Sequence, residues 1–350
     1  MVVKFQNSYR LGNTTIIIFF VGILLLFSIL AVGFGSVQIP PMSVVQIIIS
    51  KLQISSLDQG IPNSWVTIVW DIRIPRIIAA VIAGYSLAVS GAVYQGLFRN
   101  PLADPYLIGV ASGAGLGATI VLVTDVPVIW FGAPILSIAA FIGGSGAVLC
   151  GYLISRTGNR VSLGTLILAG VAVGSFSGAM TYFLMINADP DVKPLLAWLM
   201  GGLSGIEWDD ILMIIPYILI FASIVLFYGR TLNILQFGEQ DASSLGVDVE
   251  RTKIILILSA TILTSFVVSI SGLIGFIGLV APHIIRLLWG PDNRFLIPMA
   301  GIMGAIFLLI ADLFARTIAS PAEIPVGLVT AFLGAPFFLY ILFRNRYQVI

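Results

Sequence analysis

Charge is what this chain has little of. Asp, Glu, Lys and Arg make up 9% of its 350 residues, against 59% hydrophobic residues. A soluble domain carries about 25% charged residues because its surface faces water. So few charges cannot clothe a water-facing sphere, and most of this surface must meet lipid. One cysteine, Cys150, sits in an apolar run; it excludes an intramolecular disulfide and reads as a small packing residue. One histidine, His283, excludes a histidine-cluster metal site. The net charge of +1 gives no footing for nucleic acid. No G-x-x-x-x-G-K-[ST], G-x-S-x-G, H-E-x-x-H or C-x-x-C occurs, so neither a P-loop nucleotide site nor a recognised catalytic constellation is present. No helix carries the regularly spaced arginines of a voltage sensor.

Long apolar runs are what the chain does have. A bilayer core of about 30 Å takes about 20 apolar residues per helix. The runs between polar or Pro/Gly punctuation predict ten membrane segments: Thr14–Phe34, Pro75–Leu97, Tyr106–Val123, Pro134–Ile154, Leu163–Ile186, Ile211–Tyr228, Ile254–Ile270, Leu273–Trp289, Phe295–Phe314 and Val326–Phe343. The first reads as a membrane helix rather than a removed signal peptide, since no small-x-small cleavage site follows it. The fold class expected is an all-α polytopic membrane protein forming one transmembrane domain over residues 1–350, with both termini on one side. Cytoplasmic loops are enriched in Lys and Arg. With the termini inside, Lys4, Arg10, Arg99, Arg156, Arg160, Arg230, Arg251, Lys253, Arg286, Arg294, Arg344 and Arg346 all face the cytoplasm. Lys51, Arg73, Arg76, Lys193 and Arg316 fall outside.

Arg73, Arg76 and Arg316 therefore need a separate reason. Two readings stand: snorkelling or local pairing with Asp71, Asp312 or Glu323, and a basic pocket for an acidic partner outside the membrane. The longest hydrophilic segment, Gly229 to Lys253, lies inside and predicts two short helices, Asn233–Leu235 and Glu239–Leu245, closed by Gly246. Asp104, between Asn100-Pro101 and Pro105, reads as a cap of the third segment rather than a proton carrier. Gly109, Gly113 and Gly117 form a small-residue stripe that lets helices approach closely. Gly272, Gly275 and Gly278 punctuate the seventh and eighth segments as hinges. His283, beside Arg286, reads as a helix-end residue, with a proton relay as the alternative.

The run "RIPRIIAAVIAGYSLAVSGAVYQGLFRNPLADPYLIGVASGAG" resembles the signature of the FecCD-type permeases, the membrane subunits of type II ABC importers for ferric siderophores, haem and vitamin B12. "WLMGGLSGIEWDD", "ILQFGEQDASSLGVDVER", "GLIGFIGLVAPHIIRLLWGPDNR", "ADLFAR" and "EIPVGLVTAFLGAPFFLYIL" extend the likeness in order from about Val37 to Arg346. The polar stretch Lys51 to Ser64 does not align and reads as a loop. The resemblance implies ten helices per subunit and a dimer with a second permease copy, identical or paralogous. It implies two cytoplasmic ATP-binding subunits, which bind ATP and Mg so that this chain binds no cofactor itself, and an extracytoplasmic substrate-binding protein. It places binding-protein docking on Arg73, Arg76 and Arg316. ATPase coupling falls on Glu239, Ala242, Ser243, Leu245 and Gly246, within about residues 229–253. The cytoplasmic gate falls on Ser162, Leu163, Gly164 and Thr165. Iron chelate is the first expectation for substrate, with haem or cobalamin as alternatives. The rival class is a proton-coupled secondary transporter using Asp104, Asp312 or His283.

Overall fold

The computed structural model describes residues 12–35, 37–54, 60–124, 129–130, 133–158, 160–187 and 193–345. Lys4, Arg10 and Arg346, used above to orient the chain, lie outside the described residues. The elements in chain order are α1 (Asn13–Gly33), α2 (Pro41–Lys51) and α3 (Asn63–Val66), which runs through a π-helical turn (Thr67–Arg73) into α4 (Ile74–Leu97). A 3₁₀ turn (Pro105–Ile108) leads to α5 (Val110–Val123), and the two-residue strands β1 (Ile129–Trp130) and β2 (Ala133–Pro134) precede α6 (Ile135–Ser155). The hairpin of β3 (Arg156–Thr157) and β4 (Arg160–Val161) joins α6 to α7 (Leu163–Ile186). Then follow α8 (Lys193–Leu199), α9 (Trp208–Phe227), α10 (Gly229–Leu235), α11 (Glu239–Ser244), α12 (Val249–Ser271), α13 (Ile277–Trp289), α14 (Asn293–Ala315) and α15 (Val326–Asn345).

Every one of the ten expected segments is helical. Among the described residues, seven helical stretches are long and apolar enough to cross a membrane: α1, the continuous Asn63–Leu97, α6, α7, α9, α12 and α14. The helices of the third, eighth and tenth segments, α5, α13 and α15, carry shorter apolar stretches.

Some boundaries differ from the sequence reading; the seventh helix, for one, starts at Val249 rather than Ile254. The second membrane helix starts at Asn63 rather than Pro75. Pro75 has no N–H and crowds the carbonyl one turn back. The chain absorbs this by widening into the π turn, where Ile74 N–H reaches Val69 O. The described residues between Lys51 and Asn63 are non-helical, as read, but the helix before them, α2 from Pro41 to Lys51, was not expected; it buries Val44 and Ile47. The eighth helix starts at Ile277 rather than Leu273, because residues 272–276 are non-helical, with Gly272 and Phe276 both at positive φ.

Helix α4 is the axis of the fold. Nearly all of its side chains are buried, many of them Ala, Gly or Ser, whereas α1 leaves most of its apolar face to lipid. Small residues let neighbouring backbones close in where no hydrophobic effect separates helix from lipid. A Cβ on Gly84 would stand 2.3 Å from Gly304 O of α14, so that crossing demands glycine. Polar contacts complete the packing: Ser90 Oγ donates to Ala260 O (3.0 Å), and Tyr94 OH lies 2.9 Å from Thr261 Oγ1 of α12.

Two interrupted segments support each other. Non-helical backbone at membrane depth must be satisfied by protein. The Tyr106 hydroxyl, set by the 3₁₀ turn, donates to Ile274 O (3.0 Å) and accepts from Ile274 N–H (3.1 Å) in the break before α13. Gln95 Nε2 donates to Gly278 O (3.2 Å), and its Oε1 accepts from Arg286 Nη1 (2.7 Å).

Candidate functional site

The three arginines that broke the charge rule converge at one end of the molecule. Arg73 comes from the π turn, Arg76 from the first turn of α4 and Arg316 from the C-terminal cap of α14. All three are buried, at 4%, 6% and 5% exposure. Asp312, one turn before Arg316, is fully buried between them. Arg76 Nε donates to Asp312 Oδ1 (2.8 Å), and its Nη1 donates to Glu323 Oε2 (2.8 Å). Arg316 Nε stands 3.4 Å from Asp312 Oδ2.

The remaining donors go to the end of α1. Helix termini leave their last carbonyls without partners. Arg316 Nη2 donates to Ala31 O (2.9 Å), Arg73 Nη1 to Val32 O (2.7 Å) and Gly33 O (3.0 Å), and Arg73 Nη2 to Val37 O. A guanidinium suits this task because its five donors fan out in one plane. The cluster thus answers to local pairing, with Asp312 and Glu323 as the acids. All three guanidiniums of the cluster are buried. Its solvent-facing member is Glu323, whose side chain is 43% exposed.

The opposite end gathers the residues that the resemblance assigned to coupling and gating. Both short helices form, as α10 and α11, with Gly246 at φ 84° closing the second. Ala242 is buried, while Glu239, Ser243, Leu245 and Gly246 are exposed along one hydrophilic platform. Asn233 fastens α10 to the start of α14: its Nδ2 donates to Asp292 Oδ1 (2.7 Å), and its Oδ1 accepts from Asn293 N–H (2.8 Å). Hydrogen bonds from Arg294, then from Asn233, hold the Asp292 carboxyl well below the usual carboxylate range.

Ser162 caps α7, its Oγ accepting from Thr165 N–H (3.3 Å). Ser162, Leu163 and Gly164 border a cleft of about 540 Å³ that Glu239 and Glu250 also line. Thr165 is exposed beside it. One buried side chain joins them. Lys253, 1% exposed, donates to Val161 O (2.8 Å) and to both Glu239 oxygens (3.2 Å each), and lies 2.8 Å from Glu250 Oε1. Sequence reasoning counted Lys253 only as one more cytoplasmic charge. The signal that could have singled it out was Glu250 three residues earlier, on the same face of a helix.

The glycines divide. Gly109 is left-handed (φ 95°) between the 3₁₀ turn and α5. Cβ atoms on Gly113 and Gly117 would stand 2.3 and 2.1 Å from the carbonyls of Gly143 and Ala139 in α6. A Cβ on Gly272 would stand 2.1 Å from Trp198 O and one on Gly278 2.7 Å from Pro105 Cδ, whereas Gly275 has open space around it. Asp104 accepts from Tyr106 N–H (2.8 Å) as a cap, and burial pushes its carboxyl up to about 6. Both nitrogens of His283 are buried without a hydrogen-bond partner among the described residues. A hollow of about 910 Å³ between α1, α2 and α4 is lined by no charged side chain. No group of three or more His, Cys, Asp or Glu placed to hold a metal occurs among the described residues.

A bundle of apolar helices long enough to cross a membrane, with a hydrophilic platform at one end, is an arrangement that suits a transport permease. Comparison with known proteins agrees. Residues 23–344 match the FecCD transport family. The chain is 44% identical to the cobalamin import system permease protein BtuC of Halobacterium salinarum, covering 83% of this chain and 77% of that one. It is 40% identical to the hemin transport system permease protein HmuU of Yersinia pestis, covering 93% and 95%. A solved metal-chelate type ABC transporter in an inward-facing conformation superposes with a TM-score of 0.81 at 30% identity, covering 95% of this chain and 99% of that one. The chain belongs to the FecCD transport family and is an ABC importer permease with the type II fold.

Proposed function

We propose that this permease forms half of the pathway of an ATP-driven importer for a bulky metal chelate, with ferric iron chelates as the first class. The observation that carries the reading is the agreement among relatives. Cobalamin, hemin and Fe(3+)-citrate, the last from a Bacillus subtilis permease 37% identical over 93% of this chain, are all metal-centred chelates. Haem and cobalamin are the alternatives within the same mechanism. The proton-coupled rival finds few carriers here, because Asp312 is held between Arg76 and Arg316 and Asp104 caps a helix.

In this reading the N-terminus and the α10–α11 platform face the cytoplasm, and the arginine cluster faces outward. A second permease copy completes the pathway, two ATP-binding subunits carry ATP and Mg beneath α11, and a loaded binding protein docks above. Glu239, Ala242, Ser243, Leu245 and Gly246 meet the ATPase, and Ser162 to Thr165 close the inner gate. Nucleotide shifts the conformational equilibrium by binding one state better than the other. Docking uses Arg73, Arg76 and Arg316 from beneath the surface. A carboxylate on the partner takes the place of Glu323 at Arg76, while Arg73 and Arg316 keep α1 in register.

The test is uptake of ferric siderophores, ferric citrate, haem and cyanocobalamin by cells with and without the gene, each with vanadate or a protonophore. Vanadate-sensitive loss of one ligand names the substrate and supports ATP-driven import. Loss blocked only by the protonophore overturns the energy source, and loss of none overturns the chelate class.

A further inference from the structure

We propose that Lys253 is a positioning residue that transmits movement of α11 to the head of α7, so that the platform and the gate move as one unit. The inference rests on the coupling reading of α11 given above. An ammonium has three donors, and those of Lys253 serve three separate elements: Glu239 on α11, Glu250 on α12 and the Val161 carbonyl of β4. Glu250 alone, one turn earlier, would satisfy the charge. The contacts to Glu239 and Val161 do more, because they join parts far apart in sequence.

Val161 is held at both backbone groups. Its N–H donates to Glu250 Oε2 (2.9 Å) and its C=O accepts from Lys253 (2.8 Å). It immediately precedes Ser162, the cap of α7, so its placement sets where α7 begins. Glu239 opens α11, and its side chain is 45% exposed at the platform while its carboxylate reaches the buried ammonium. Displacing α11 must therefore either carry Lys253 and Val161 with it or break a charge-assisted contact in a buried site. Removing Lys253 would leave the Val161 carbonyl and two carboxylates without their shared cation, disconnecting platform from gate while leaving both in place.

The experiment uses the purified complex with its ATP-binding subunits in nanodiscs, with ATP plus vanadate as the probe. Spin-label pairs Gln240–Leu287 and Gly164–Leu287, in a Cys150→Ala background, report α11 and the gate separately. All three label sites are exposed, and Gly164 has open space for a side chain. In the parent protein both distances shift on trapping. In Lys253→Met the α11 shift persists and the fraction of molecules with a shifted gate falls by roughly two- to thirtyfold, the range set by known coupling energies. Lys253→Arg restores the gate shift. Glu239→Gln, which leaves the buried Lys253–Glu250 pair intact and so the fold, also loses it. An undiminished gate shift in both Lys253→Met and Glu239→Gln overturns the relay alone. Absence of any α11 shift in the parent overturns the coupling reading, and the relay with it.

Discussion

Asp312→Asn should cost the protein far more stability than Glu323→Gln, although both remove one carboxylate from Arg76. Asp312 is fully buried and serves two guanidiniums, Arg76 at 2.8 Å and Arg316 at 3.4 Å. Asparagine is nearly isosteric and keeps one acceptor for Arg76, but it loses the charge and turns an amide donor toward one of the two guanidiniums. Counting Arg73, the site would then hold three buried cations against the one half-exposed acid. Breaking a buried pair by removing one partner costs about 3–5 kcal/mol, most of it the desolvation of the charge left behind. Arg76 retains Glu323, which places the loss near 3 kcal/mol. Glu323→Gln removes a carboxylate that water already screens, for at most about 1 kcal/mol. The assay is equilibrium unfolding in mixed micelles, followed by tryptophan fluorescence. A further prediction checks the cause: adding Arg316→Met to Asp312→Asn should cost less than the sum of the two, because it removes one of the uncompensated cations. Equal losses for Asp312→Asn and Glu323→Gln would refute the reasoning, and so would strict additivity in the double variant.

Other outcomes follow from single contacts. Tyr106→Phe removes the hydroxyl that serves both Ile274 N–H and Ile274 O, leaving two backbone groups without it; unfolding measurements should show a loss of about 1–3 kcal/mol. Gly84→Ala places a Cβ 2.3 Å from Gly304 O and should lower stability by about 1–3 kcal/mol through overpacking of the α4–α14 crossing. Asp104, in the turn between α4 and α5, has a carboxyl raised from 3.8 to about 6 by burial. The folded state thus holds its proton more tightly than the unfolded chain does, so stability falls as pH rises from about 4 to 6 and then levels. Asp104→Asn keeps the cap acceptor and should gain about 1–2 kcal/mol at pH 7.5 and nothing at pH 4, after allowing for the half-buried setting of the residue. Equal gains at the two pH values would show that desolvation of the charge is not the cause.

The ten apolar runs were legible because lipid imposes one rule on every crossing segment, and punctuation by Pro and Gly marks most of its ends. Helix α2 was passed over because it is short and amphipathic, though Pro41 at its first position and Val44 with Ile47 were readable signs. The early start at Asn63 was not legible. Asp71 and Arg73 interrupt the apolar run, and Pro75 reads as a helix start when it in fact displaces an existing helix into a wider turn. Charge asymmetry singled out Arg73, Arg76 and Arg316, but not what they bind. That depends on where α1 ends relative to α4 and α14, which no local pattern encodes. Lys253 failed to stand out for the converse reason. A lysine among cytoplasmic charges reads as solvated, and only the fold lowers the β3–β4 hairpin over it.

The exposure of α1 shows why arginines, and not merely polar residues, stand at that end. A helix with so little of its surface in the core gains little from packing, and its last carbonyls are the part that lipid tolerates least. Two guanidiniums from different helices take three of those carbonyls, so α1 is held by its end rather than by its flank. Asp312 allows the two cations to stand together, and Glu323 is the partner of Arg76 that solvent can reach. In the proposed docking, an incoming carboxylate therefore has one exchangeable contact available, at Arg76. Its arrival alters the charge beside Asp312 and Arg316. The same residues thus serve structure and docking without contradiction. What changes on docking is which acid faces Arg76, while the carbonyls of α1 stay bound throughout.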